Sequence, residues 1–94
     1  MTAARSMDGP RVAIVTGASR GIGRAIALRL AADGHSMVLV ARSKDAIEAL
    51  AAEISGSGGI AEACVCDLAD DAAVDSLIEG VVERHGRLDI LVNN

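Results

Sequence analysis

Residues 12–23 read Val-Ala-Ile-Val-Thr-Gly-Ala-Ser-Arg-Gly-Ile-Gly (VAIVTGASRGIG), and this stretch decides the fold. It opens on a nearly continuous apolar run, the pattern of a strand covered on both faces, as in parallel sheets flanked by helices. Glycines follow at 17, 21 and 23. From Gly23 onward, Ile26, Ala27, Leu30 and Ala31 fall on one face of a helix. A buried strand that passes through glycines into a helix lets the backbone approach a pyrophosphate. The helix start adds unbonded N–H groups and a partial positive charge. The spacing is G-x-x-x-G-x-G rather than the commoner G-x-G-x-x-G, and no Gly-Lys-Ser/Thr follows to make a Walker A loop. The competing reading is a tight turn whose glycines serve packing alone.

The same alternation continues outward. Gly34 stands where a helix-ending glycine is expected. Residues 37–41 (MVLVA) form a second buried strand. Ser43 can cap a second helix whose inner face is Ile47, Leu50, Ala51 and Ile54. Residues 56–59 (Gly-Ser-Gly-Gly) read as a flexible loop; it precedes a strand, so it is no phosphate cradle. A third strand spans residues 60–66, and a third helix turns Val74, Leu77, Ile78 and Val81 inward, with Gly86 past its end. A fourth strand spans residues 88–93. Strands alternating with helices imply right-handed crossovers and a parallel sheet. The expected architecture is α/β: a Rossmann-type doubly wound parallel sheet, first half only, with strand order 3-2-1-4. Residues 1–9 read as a flexible leader without the apolar segment of a secretory signal, with Met1 and Met7 as alternative starts. Residues 10–94 read as the amino-terminal part of a dinucleotide-binding domain. The expectation is that it is truncated at strand four, because a central parallel strand would otherwise end the chain with an unpaired apolar edge.

Composition narrows the function. With 51% apolar and 23% charged residues the chain is globular rather than disordered. No run approaches the roughly 18 apolar residues of a membrane span. Net charge is −4 and no basic stripe is present, so neither nucleic acid nor an anionic membrane is an expected partner. The chain has no Phe, Tyr or Trp, which excludes a tyrosine acid and aromatic base stacking among these residues. Cys64 and Cys66, two apart in a strand, share a face and are poorly placed for a disulfide. They read as small core residues of a reduced, cytoplasmic protein. His35 and His85 lie in separate segments, so no zinc set and no metal site is expected. His35 reads as a solvated turn residue. His85 reads as a packing residue in a helix's last turn, where a cation suits the dipole.

Three stretches together carry a resemblance: TGASRGIG at residues 16–23, CDL at 66–68 and LDILVNN at 88–94. In this order and spacing they resemble the short-chain dehydrogenase/reductase family over residues 11–94, and look most like its 3-oxoacyl-acyl-carrier-protein reductase branch. The resemblance implies cofactor contacts from Gly17, Ser19, Arg20, Gly21, Ile22 and Gly23 in the glycine loop. It implies others from Asp67 and Leu68 near the adenine and from Asn94 beside the adenosine ribose. For Asp67 the alternative is a cap of the third helix; for Asn94, a strand-end turn residue. Asp89 and Asn93 look structural. The family often has an aromatic residue where His85 stands, so that position departs from the pattern.

Cofactor choice has a physical argument. An acidic residue at the end of strand two would hold a ribose 2′-hydroxyl and repel a 2′-phosphate, whereas arginine favours the phosphate. Strand two ends Val40-Ala41-Arg42-Ser43 without an acid, and Arg20 is a second cation. The family's NADP-preferring members carry basic residues at these two places, so NADP is the expected cofactor. The alternative for each arginine is a solvated surface residue.

The resemblance implies a parent oxidoreductase, a homo-oligomer, that moves hydride between NADP(H) and a small-molecule carbonyl or alcohol. A 3-oxoacyl thioester is one candidate substrate. The family's acid is a tyrosine, assisted by a lysine four residues later and a nearby serine. The chain has no tyrosine, and Lys44, its only lysine, opens the second helix, so no catalytic residue is carried over. The fragment alone is expected to be inactive. The alternatives are a non-catalytic nucleotide-binding module or a truncated remnant; a methyltransferase-like domain also places glycines after strand one but does not account for the later LVNN.

Overall fold

The structure, a computed structural model, describes residues 11–93. The expected leader and Asn94 lie outside the described residues. Seven elements follow in order: β1 (Val12–Thr16), α1 (Gly21–Ala32), β2 (Ser36–Ala41), α2 (Lys44–Gly56), β3 (Ile60–Val65), α3 (Asp71–His85) and β4 (Ile90–Val92). The four strands are all parallel, in the order β3-β2-β1-β4. This is the expected 3-2-1-4 order of a Rossmann-type sheet.

Strand alternation sorts the core into two layers. Ala13, Val15, Met37 and Leu39 point to one face and pack with Ala27 of α1 and Ile47, Leu50 and Ile54 of α2. Val12, Ile14, Val38 and Val40 point to the other and pack with Val81 of α3 and with Cys66. Burial on both faces explains why β1 and β2 are apolar at nearly every position. Each large aliphatic side chain removed from water contributes about 1.5–3 kcal/mol. The inner faces read from the sequence are those that pack: Ile26, Leu30 and Ala31 of α1 and Ala51 of α2 join the first layer, and Val74, Leu77 and Ile78 of α3 join the second. Cys64 and Cys66 both lie on the α3 side and are free thiols, as their spacing implies.

The structure differs from the sequence reading at element ends. β4 has three residues rather than six. Leu88 leaves the strand to pack against the α3 layer, and the Asp89 carboxylate, not a backbone carbonyl, accepts the Val12 N–H. Gly56 belongs to α2, so the loop begins at Ser57. Ser43 occupies the N-cap position of α2, but its hydroxyl makes no capping bond. α3 is capped by Asp70, whose Oδ1 accepts the Ala73 N–H at 3.1 Å. Asp67 therefore does not cap that helix. Its Oδ1 accepts the Ala69 N–H at 3.0 Å and turns the chain after β3.

Both histidines have structural partners. His35 is half-buried rather than solvated, and its Nδ1 accepts the Arg11 N–H at 3.3 Å, tying the end of α1 to the entry of β1. His85 does more than pack. Its Nε2 lies 2.8 Å from Glu62 Oε1, and Arg84 Nη2 donates to the same oxygen at 3.1 Å, so the last turn of α3 is tethered to β3.

Candidate functional site

The carboxyl ends of β1 and β2 open into a cleft of about 830 Å³. One wall is Gly17, Ser19, Arg20, Gly21 and Ile22; the other is Ala41, Arg42, Ser43 and Ala46. The carboxyl edge of a parallel sheet is where such folds take ligands, because helix N-termini converge there. Both helices beside this cleft, α1 and α2, start at it.

The glycine loop is shaped by its backbone. Gly17 and Gly21 both have φ of 62°. A Cβ built on Gly21 would meet no atom within 4 Å, so packing does not require glycine there; the left-handed backbone does. Gly21 thus serves the turn's backbone conformation rather than close packing. The loop is anchored from behind, with Ala18 fully buried and its N–H donating to Val40 O at 3.3 Å. Arg20 is the N-cap residue of α1, extended, with no side-chain capping bond. An arginine at the N-cap offers no acceptor to the first N–H groups of α1, and a helix start of this kind suits an anion.

Charge and apolar surface alternate along the cleft. Arg20 and Arg42 are both exposed and both line the cleft, one from the glycine loop and one from the end of β2. Ile22 is 71% exposed, an unusual place for isoleucine at a helix start, and offers an apolar cover to whatever lies over the loop. An extended polyanion with an apolar portion suits this set of groups.

The sequence candidates divide as follows. Gly17, Ser19, Arg20, Gly21, Ile22 and Arg42 line one cleft. Gly23 is buried in the first turn of α1, behind the wall. Asp67 and Leu68 are exposed and do not line the cleft, but the Cys66 N–H donates to Ala41 O at 3.2 Å, which keeps this segment at the same carboxyl edge. Ala41, Ser43 as a cleft residue, and Ala46 were not legible as site residues. Ala46 had one signal, its place three residues after a helix-cap serine that adjoins Arg42. Thr16 was also missed. Its Oγ1 lies 3.2 Å from Val92 O and 3.3 Å from Asn93 Oδ1, so it ties the carboxyl end of β1 to β4. The structural reading of Asp89 and Asn93 agrees with these bonds.

Among the described residues no set of three or more His, Cys, Asp or Glu side chains is arranged to hold a metal ion. No described helix is long and apolar enough to cross a membrane.

The family model for short chain dehydrogenase matches residues 11–94, and the chain belongs to that family. It is 45% identical over 87 residues to hydroxysteroid dehydrogenase-like protein 2 of Danio rerio, an alignment covering 85% of this chain and 21% of that protein. It is 48% identical over 85 residues to 3-oxoacyl-[acyl-carrier-protein] reductase of Synechocystis sp., covering 89% of this chain and 34% of that one. It superposes on the crystal structure of a metagenomic short-chain oxidoreductase in complex with NADP with a TM-score of 0.87 and 49% identity, over 89% of this chain and 38% of that one. The chain thus spans between about a fifth and a third of the length of these two curated relatives.

Proposed function

We propose that this chain is the NADP-binding part of an oxidoreductase that moves hydride between NADP(H) and a carbonyl or alcohol, with a 3-oxoacyl thioester as one candidate substrate class. The observation that carries the reading is the pair Arg20 and Arg42, both exposed and both lining one cleft, whose other lining residues come from the glycine loop and the β2 end and include no acid. Two cations there favour a 2′-phosphorylated adenosine, and a carboxylate would repel it. NADP bound to the metagenomic neighbour supports the cofactor, and the Synechocystis relative supports the substrate class.

In this reading the N–H groups at the start of α1 would hold the pyrophosphate, and Gly23 would let that turn sit close against β1. Asp67 would accept from the adenine amino group, with Leu68 beside the ring and Asn94 near the ribose. When bound, NADP(H) supplies or accepts the hydride. Reduction of a carbonyl also needs an acid at the developing oxyanion. The family's acid is a tyrosine, and these 94 residues contain none. The chain alone would therefore bind the cofactor and catalyse nothing, and the reaction would belong to a longer, homo-oligomeric parent in the reducing cytoplasm that its free thiols suit.

The test combines titration with turnover. Purified chain is titrated with NADP, then mixed with NADPH and a panel of ketones and 3-oxoacyl thioesters. Weak, salt-sensitive NADP binding without NADPH oxidation is expected. Failure to bind NADP overturns the cofactor assignment; turnover above a denatured control overturns the assignment of the acid to residues outside this chain.

A further inference from the structure

The third strand carries a single charge, and it stands where a second chain would pair. Residues 60–66 read Ile-Ala-Glu-Ala-Cys-Val-Cys, with Glu62 the one charged side chain and no proline. Such a window is prone to pair with a copy of itself when its edge is open. Among the described residues the edge of β3 is open: all six of its residues pair with β2, and no strand pairs with its other side. Ile60 and Val65, at its two ends, are exposed. The other edge strand, β4, pairs over three residues only. Strand alternation puts Ile60, Glu62 and Cys64 on the α3 side of the sheet, and the last turn of α3 converges on Glu62. His85 Nε2 lies 2.8 Å from Glu62 Oε1, and Arg84 Nη2 donates to the same oxygen at 3.1 Å. Arg84 Nη2 also lies 4.0 Å from Cys64 Sγ. Gly80 leaves room for this arrangement, since a Cβ there would lie 2.9 Å from Arg84 Nη1.

We propose that Glu62 is the gatekeeper of the β3 edge: pinned to the last turn of α3, it keeps a second copy of this chain from adding its own β3 strand there. A second copy is the occupant this edge fits, because the same apolar window supplies both strands. In an antiparallel pair of β3 strands both Glu62 side chains would fall on one face of the joined sheet, within a few residues of each other. Their carboxylates and the Arg84 guanidinium groups would lose water, and like charges would sit close. An inward-held charge on an edge strand opposes strand addition in this way. Neither cost arises at Ala61, Ala63 or the two cysteines, so Glu62 alone carries the protection. Glu62→Val removes both costs and leaves an uninterrupted apolar run from residue 60 to residue 66.

The test is hydrogen–deuterium exchange, read by mass spectrometry on peptides spanning residues 60–66, with light scattering, over a concentration series of the full chain. The variants are Glu62→Val, Glu62→Gln and Glu62→Val combined with Ile60→Lys, each after matching circular dichroism spectra. In the parent, exchange at 60–66 is expected to be independent of concentration. In Glu62→Val it should slow by roughly fivefold or more as concentration rises about tenfold, with a larger mass than the parent's at each concentration. Glu62→Gln should move in the same direction to a smaller degree. Adding Ile60→Lys returns a charge to the same face of the same edge and should restore the parental exchange. That rescue separates a charge at the edge from a merely structural tether to α3, which Ile60→Lys would not rebuild. The gatekeeper role is overturned if Glu62→Val and Glu62→Gln, folded as the parent, keep concentration-independent exchange at 60–66. It is equally overturned if the parent is itself protected there on concentration, or if Ile60→Lys restores nothing. Should Glu62→Val not fold, Glu62→Gln decides alone on the same readout.

Discussion

Asp89 and Val12 bond to each other in both directions: the Val12 N–H donates to Asp89 Oδ2 at 2.9 Å, and the Asp89 N–H donates to the Val12 carbonyl at 3.0 Å. Arg87 grips the same carboxylate with two further bonds, Nε to Oδ2 at 2.7 Å and Nη2 to Oδ1 at 2.8 Å. The amino ends of β1 and β4 are thus fastened by one side chain just where the ladder between them starts. Asp89→Ala removes the acceptor of a ladder-edge N–H and should destabilise the fold by about 1 kcal/mol. Urea denaturation checks this as a lower midpoint at unchanged slope; an unchanged midpoint would mean that water replaces the carboxylate without loss.

Acid should loosen the molecule through two carboxylates. Hydrogen bonds from Arg87 and from the Val12 N–H hold the Asp89 carboxyl below the usual aspartate range. At Glu62 burial pushes the carboxyl up, but hydrogen bonds from His85 and Arg84 together outweigh it, and the net direction is down. In both cases the unfolded chain binds the proton more readily than the folded one. Their stabilisation is therefore present above the ordinary carboxylate range and lost as pH falls below about 4. Thermal melts between neutral and acid pH should show stability falling in that window, with a shallower fall in the Glu62→Gln, Asp89→Asn double variant. Parallel profiles for parent and double variant would place the acid sensitivity elsewhere.

Cofactor preference should follow Arg42. Replacing it with Asp puts a carboxylate on the wall that would meet the 2′-phosphate. The expected loss for NADPH is about 2 kcal/mol or more, with a smaller effect on NADH. Fluorescence titration with both nucleotides separates the outcomes, and equal losses would show that Arg42 senses no 2′-phosphate.

Gly21→Ala tests backbone conformation without a clash, since its Cβ would project into open space at φ of 62°. The left-handed backbone should cost about 1–2 kcal/mol for alanine. A chemical-denaturation midpoint equal to that of the parent would mean that the loop relaxes out of this conformation.

Self-association is expected of the chain by itself. Among the described residues β4 pairs only with β1, and Leu91 on it is 56% exposed. An open, apolar strand edge is a template for pairing with another copy. Light scattering across a concentration series should show growing mass. A monodisperse monomer with a sharp cooperative melt would contradict this.

Much of the architecture was legible because it depends on repeated, local signals. The apolar runs at residues 12–16 and 37–41 announced strands buried on both sides. The helical spacings of Ile26, Ile47 and Val74 with their neighbours named the faces that pack, and the TGASRGIG turn placed the cleft. Hydrophobic periodicity reports which faces are buried, and the alternation of strands with helices, through right-handed crossovers, orders the sheet. What the sequence could not decide were contacts made by single polar side chains across long separations. Asp89 reaching Val12, Glu62 meeting His85, Thr16 meeting Asn93 and Arg11 meeting His35 all join residues more than twenty positions apart. Such bonds have no periodic signature. The choice of Asp70 over Asp67 as helix cap, and the entry of Ala46 into the cleft wall, likewise depended on where the chain turned after β3 and β2. The sequence by itself determined the layers and the glycine loop; the tertiary structure alone decided which polar groups close the sheet's ends and which small residues share the cleft with the arginines, because those follow from distances that only the packed sheet sets.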